Sequence, residues 1–364
     1  MSEREPRLMS SPYMQWAKTR SQARFNLASS GLRNYPLSEL PLKLEELELS
    51  GPSLYGYEPL QAALAAKCHV EPECVVAATG TSMANHLVMA AVLKPGDEVL
   101  IERPAYELLV TVAQYLGASV KRFTRPADEG FALDLDALAR SVSERTRLIV
   151  LTNLHNPSSA FVGEESLKQL GSIARRVGAH VLVDEVYLDA LFAKAPRSAF
   201  HLGEEFITTN SLTKVYGLSG LRCGWVLARP EVAQRLWQLN DFFGVIPAHP
   251  AERLSCVALE HFAQITAHAR RLLEINGQLL NSFFASQDAL DWSPLQFGTV
   301  SFPRLKRGSV DELCALLAEK YETSVVPGRF FEMPQHLRIG IGGDTSQLKE
   351  GLDRLGIALA EARA

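Results

Sequence analysis

Between residues 75 and 229 the sequence alternates short, nearly continuous apolar runs with helix-length segments, and few architectures accept that pattern. The runs are Val75–Ala78, Glu98–Ile101, Ser119–Phe123, Leu148–Leu151, His180–Val183, Phe206–Thr209 and Gly224–Leu227. Between most of them lie segments such as Met83–Leu93, Tyr106–Leu116 and Glu164–Val177. A strand that is apolar along its whole length must be covered on both faces, and alternation with helices supplies that cover. The pattern predicts an α/β fold with a mostly parallel sheet of seven strands flanked by helices. Ligands of such sheets bind past the C-terminal ends of the strands, so residues there are the candidates for chemistry. After about residue 240 the pattern changes. Asp241–Pro247 reads as a hinge-like loop and about 250–286 as one long helical stretch. Short apolar runs then mix with helices over Val310–Tyr321 and from about Ser346. The expected organisation is a large domain over 50–245 and a smaller α+β domain from 1–49 plus 246–364.

Composition removes several function classes. The chain has 364 residues, 47% of them hydrophobic and 21% charged, as in an ordinary globular enzyme. A net charge of -4 offers nothing to nucleic acid or to an acidic membrane surface. No apolar run reaches the ~18 residues of a membrane span. The polar start, Met1–Pro6, has no apolar core for a secretory signal. Five cysteines at scattered spacings fit reduced thiols and a cytoplasmic location better than a disulfide framework. The nine histidines form no metal-binding spacing. There is no G-x-G-x-x-G, so a nicotinamide cofactor is not supported.

One stretch carries most of the chemistry. Ser211-Leu-Thr-Lys214-Val-Tyr-Gly217-Leu-Ser-Gly220-Leu-Arg222-Cys223-Gly224 lies between two apolar runs. A lysine set between core strands loses its proton more easily than a surface lysine and becomes a nucleophile for aldehydes. Ser211 and Arg222 supply a hydroxyl and a fixed cation that suit a phosphate. An aldehyde and a phosphate on one ligand describe pyridoxal 5'-phosphate (PLP). Elsewhere, Gly80, Thr81 and Ser82 stand between a strand and a helix, where exposed N–H groups make an anion site. Asp184 ends the run Val181–Val183, and a carboxylate beside a pyridine nitrogen would keep it protonated. A Thr or Ser helix cap and an Asp helix cap would look the same in sequence.

The lysine stretch resembles the signature of class I/II aminotransferases, the fold-type I PLP enzymes. Ser211, Lys214, Gly217, Gly220, Arg222 and Gly224 match it, and Cys223 stands where the family usually has an aliphatic residue or alanine. Further matches run in family order from about Tyr55 to Gly342. The resemblance implies that Lys214 carries the cofactor as a Schiff base and then moves the proton. It implies that Asp184 meets the ring nitrogen, while Tyr187 and Asn156 bond the ring 3'-oxygen. Tyr106 would stack on the ring, and Gly80, Thr81, Ser82, Ser211 and Arg222 would hold the phosphate. Asn156-Pro-Ser-Ser159 resembles the family's N-P-[ST]-G loop with serine in place of the glycine. His155 receives no role. Arg338 would grip the substrate α-carboxylate, with Arg329 as the alternative. Ser30 and Gly31 would match the end of the family's lead-in near the substrate, although a plain turn fits at least as well. Tyr55 would reach the phosphate of a neighbouring subunit, which implies a homodimer with shared sites, or else it is a surface aromatic.

The function implied is an aminotransferase that moves the amino group of an L-amino acid to a 2-oxo acid, plausibly 2-oxoglutarate. The same residues serve a PLP lyase, decarboxylase or cyclising enzyme, because the bond set perpendicular to the ring decides which one breaks. A non-catalytic regulator on the same fold is the remaining alternative. No second arginine is placed for a dicarboxylate. Phe242, Phe243 and Trp16 would suit an apolar substrate or the core.

Overall fold

The computed structural model describes residues 10–44 and 47–362; the polar start of the chain lies outside them. All seven apolar runs form strands of one sheet. Its order is Val75–Thr79, Cys223–Leu227, Phe206–Ser211, His180–Asp184, Thr146–Thr152, Glu98–Arg103, Ser119–Thr124. Only Cys223–Leu227 runs antiparallel to its two neighbours. The other pairings are parallel. The central strands are buried on both faces, as their apolar composition demands.

This topology gathers the candidate residues at one edge. Phe206–Ser211 and Cys223–Leu227 are adjacent and antiparallel, so the loop joining them, with Lys214, lies at the C-terminal end of Phe206–Ser211. Asp184, Thr152 and Thr79 end strands that point the same way, and Thr79 lies opposite Cys223. Gly80 follows Thr79 with φ +79°, a conformation that costs glycine little. It opens the helix Thr81–Val92.

Helix ends obey local chemistry. Ser11 caps Pro12–Thr19 by accepting from the Met14 N–H, with proline at the first helical position. Glu164–Val177 starts on two acidic residues, finishes on Arg175 and Arg176, and ends at Gly178 in the left-handed region. The stretch over 250–286 is not one helix. It divides into His249–Glu260 and Phe262–Ala285, with non-helical backbone at His261 (ψ 21°). No proline or glycine marks that break, so propensity gave no sign of it.

The lead-in is stitched to the late segments. Phe25–Asn26 pairs with Thr323–Ser324 in parallel. The Gly340 N–H donates to the Leu27 carbonyl, and the Arg33 N–H to the Gly342 carbonyl. Leu337–Gly340, which carries Arg338, is flanked by Val300–Ser301 and Val326–Pro327. The lead-in also crosses the lysine loop, where the Leu32 N–H donates to the Lys214 carbonyl at 2.8 Å and the Tyr35 N–H to that of Gly217 at 3.0 Å.

Gly224 is required by close approach. A Cβ there would lie 2.5 Å from the Gly80 carbonyl carbon. Gly224→Ala should therefore lower stability by ~1–3 kcal/mol, the usual cost of overpacking. Gly220→Ala, whose Cβ would meet nothing within 4 Å, should stay within ~0.5 kcal/mol of the parent. Urea midpoints of the two variants test the contrast.

Candidate active site

A cavity of about 380 Å³ opens at the edge where the strands end. Thr81, Ser82, Tyr106, Asn156, Asp184, Tyr187, Ser211, Lys214 and Arg222 line it, so nine of the residues singled out from sequence meet there. Gly80 lies just behind, packed so closely on Arg222 that a Cβ would fall 2.2 Å from Nη2. At this end the first turn of Thr81–Val92 presents N–H groups beside the Ser211 hydroxyl and the Arg222 guanidinium. Thr81 Oγ1 and Thr213 Oγ1 are buried there without a hydrogen-bond partner. Buried hydroxyls seldom stay unpaired unless a ligand completes them.

Lys214 forms part of the cavity wall. Its Nζ donates to Ser30 Oγ at 3.0 Å. Burial pushes its amine down from 10.5 to about 8, the Arg338 and Arg222 cations push the same way, and Asp184 opposes them. Asp184 is 4% exposed and accepts from Asn85 Nδ2 at 2.8 Å and from the Val186 N–H at 3.1 Å. Burial raises its carboxyl to about 6 despite those bonds. Thr209 Oγ1 donates to Asn85 Oδ1 at 2.6 Å and so fixes the amide that faces Asp184. Burial pushes the Tyr187 phenol up to about 12, so it stays a donor at neutral pH.

Arg338 is 1% exposed. Its Nη1 donates to Asn156 Oδ1 at 3.0 Å, and its Nη2 to the Tyr13 hydroxyl at 2.9 Å and the Ala28 carbonyl at 3.1 Å. Nε is buried without an acceptor. Arg338 is not itself among the residues that line the cavity, but its guanidinium is bonded to two that are, Asn156 and Tyr13.

Other sequence candidates are placed elsewhere. Arg329 pairs with Asp311 on the surface. Tyr55 is 55% exposed, donates to Asp241 Oδ2 at 3.0 Å, and does not line this cavity. Gly31 lies against Lys214, with its Cβ position 3.4 Å from Cδ, and lines a neighbouring cavity instead. Phe242 and Phe243 are exposed and away from the site, whereas Trp16 does line it. His155 is fully buried, bonded to Ser158 Oγ and the Pro104 carbonyl. Two contributors had no assigned role in the sequence reading, Tyr13 and Asn85, whereas Ser30, read with Gly31 as lying near the substrate, does line the cavity. Asn85 had a usable signal, since it stands four residues after Thr81 on the same face of the helix.

Residues 43–355 match the family model described as aminotransferase class I and II. The chain belongs to that family. Among curated proteins, the capreomycidine synthase of Streptomyces vinaceus is 34% identical over 360 residues, covering 95% of this chain and 92% of the relative. Among solved structures, a PLP-dependent aminotransferase from Streptococcus suis aligns with a TM-score of 0.90 at 25% identity, over 96% of this chain and 97% of that one. The PLP-dependent cyclase OrfR aligns at 0.88 with 24% identity over 100% of both chains.

Membership explains details that sequence left open. This class I/II chain is a PLP-dependent enzyme, and its cavity fits the cofactor. The unpaired Thr81 and Thr213 hydroxyls and the Arg222 guanidinium supply an anion end. The buried Asp184 carboxylate supplies a partner for a cationic ring nitrogen. Ser159 replaces the family glycine of the Asn156 loop and still adopts glycine's conformation, with φ +62°. Its Oγ donates to the Val300 carbonyl at 2.7 Å, which holds it there. Cys223 is buried among apolar residues, a small hydrophobe in an aliphatic position.

The lowered Lys214 amine has a measurable consequence. A lysine titrating at about 8 is mostly neutral above that pH, where an ordinary one remains protonated to 10.5. The rate at which cofactor-free protein takes up PLP should climb through pH 8 and level off near pH 9. A rate still climbing steeply between pH 9 and 10.5 would show that the site does not depress this amine.

Proposed function

We propose that the protein transfers the amino group of an L-amino acid to a 2-oxo acid, with Lys214 as cofactor anchor and proton carrier. The carrying observation is one cavity that brings Lys214, its amine lowered to about 8, together with Asp184, Asn156 and Arg222, with Arg338 bonded to Asn156 behind it. Bound in this cavity, PLP supplies an aldehyde for amines and a ring that accepts electrons from the α-carbon. Asp184 keeps a negative charge against the ring nitrogen, and burial makes that charge seek a cation. Thr81, Ser82, Ser211 and Arg222 hold the phosphate. Arg338, steadied by Asn156 and Tyr13, binds the α-carboxylate and orients the α-hydrogen towards Lys214. Lys214, when its amine is free, would take up the α-proton and give it back as acid. Tyr106 bounds the cavity as a ring partner.

A second reading has specific support. The relative at 34% identity is named as a synthase rather than an aminotransferase, and OrfR, of the same fold, is a cyclase. The residues above would start a ring-closing reaction equally well. A single-turnover experiment separates the two. PLP-loaded enzyme at stoichiometric concentration is mixed with a panel of amino acids and no oxo acid. Transamination releases one equivalent of 2-oxo acid per site, bleaches the visible absorption, and recovers it when 2-oxoglutarate or another oxo acid is added. Many turnovers with unchanged absorption and a cyclised, deaminated or decarboxylated product would establish the second reading.

We also propose a homodimer with shared sites, in the cytoplasm. Leu44, Leu49, Leu54, Tyr55, Phe242, Phe243 and Val245 are all exposed, and the Tyr55–Asp241 hydrogen bond joins the segments that carry most of them. An apolar surface of that extent fits a subunit contact. The free cysteines Cys68, Cys74, Cys223, Cys256 and Cys314 fit a reducing compartment. Sedimentation at micromolar concentration should give a dimer, and Tyr55→Phe should weaken PLP binding without dissociating it. A fully active monomer would defeat this proposal.

A further inference from the structure

The hydroxyl that holds Lys214 belongs to a residue given a place near the substrate but no chemical role above. Ser30 is 7% exposed and lines the cavity. It accepts from Lys214 Nζ at 3.0 Å. A serine has one proton to give and two lone pairs, so Ser30 can accept from Nζ and still direct its own proton elsewhere.

The backbone makes this placement deliberate. Thr299, fully buried, donates from Oγ1 to the Ser30 carbonyl at 2.8 Å. Gly31 lies against the Lys214 side chain, and the Leu32 N–H donates to the Lys214 carbonyl. The lead-in is thus pinned on both sides of Ser30. The groups acting on the amine are Arg338, Arg222 and Asp184, with Ser30 as its hydrogen-bond partner.

We propose that Ser30 is a positioning residue: it holds the Lys214 amine in one fixed arrangement whenever that amine is free of the cofactor. This rests on Lys214 being the cofactor-bearing residue. A long lysine side chain released from its bond has several rotamers, and proton transfer needs only one of them. Ser30 selects it by accepting from Nζ. That bond is stronger to the ammonium than to the neutral amine, so it also favours the charged form and counteracts part of the effect of burial.

The test reads the amine itself. PLP-loaded protein is treated with aminooxyacetate, which takes the cofactor aldehyde and leaves Lys214 free. Trace acetic anhydride labelling across pH 6–10, with peptide mass spectrometry, then gives the titration midpoint of Lys214. Ser30→Ala should move that midpoint down by about half a unit or more. Ser30→Thr, which keeps the hydroxyl, should leave it in place. An unmoved or raised midpoint in Ser30→Ala overturns the proposal. If Ser30→Ala does not fold, Thr299→Val, which releases the Ser30 carbonyl, should move the midpoint the same way, and an unmoved midpoint there is equally fatal. If aminooxyacetate does not increase Lys214 labelling in the parent protein, the cofactor assignment fails, and this proposal with it.

Discussion

The whole site depends on one half-buried amine at the cavity wall. Burial and the Arg338 and Arg222 cations together lower Lys214 to about 8. The protein achieves this by placing the lysine on the connection between two antiparallel strands at an edge where parallel strands end. It then crosses that connection with the lead-in. Remove either layer and the amine would be more fully hydrated, as in an ordinary lysine, which is a cation and not a nucleophile.

A second buried network holds the Asn156 loop and Arg338. Glu102 and Arg125 are both sealed from solvent and joined at 2.8 Å. Glu102 accepts from the Thr152 N–H and hydroxyl, at 2.7 and 2.6 Å. Thr152 Oγ1 in turn accepts from the Asn156 N–H at 2.9 Å, and Asn156 accepts from Arg338. A buried ion pair contributes little net stability, because desolvation offsets most of the attraction. Its effect here is geometric: it leaves the Asn156 loop, and the guanidinium bound to it, few alternative positions.

Electrostatics and packing thus divide the labour. Asp184 and Arg338 lie in low-dielectric surroundings where each charge has a large effect, and each is steadied by neutral partners that do not cancel it. Asn85 and the Val186 N–H serve Asp184; Asn156, Tyr13 and the Ala28 carbonyl serve Arg338. Glu185, next to Asp184, turns the other way and accepts from the Ala199 N–H. Alternation along the chain end of a strand separates the two carboxylates, one for the cavity and one for the scaffold.

Local pattern alone determined the seven strands, because uninterrupted apolar runs have few other fates. It also determined the lysine loop, since Lys214, Ser211, Arg222 and the glycines around them sit at fixed short spacings that chemistry requires. Asp184 and Asn156 were legible for the same reason. What lay beyond sequence were the meetings of distant segments. Ser30 reaches Lys214 across 184 positions, and Arg338 reaches Tyr13 across 325. The break at His261 and the surface position of Arg329 likewise have no local signal. Periodicity reports which face of an element is apolar, and a motif reports which residues lie close along the chain. Which side chain from another element fills the remaining hydrogen bond is decided only when the layers pack.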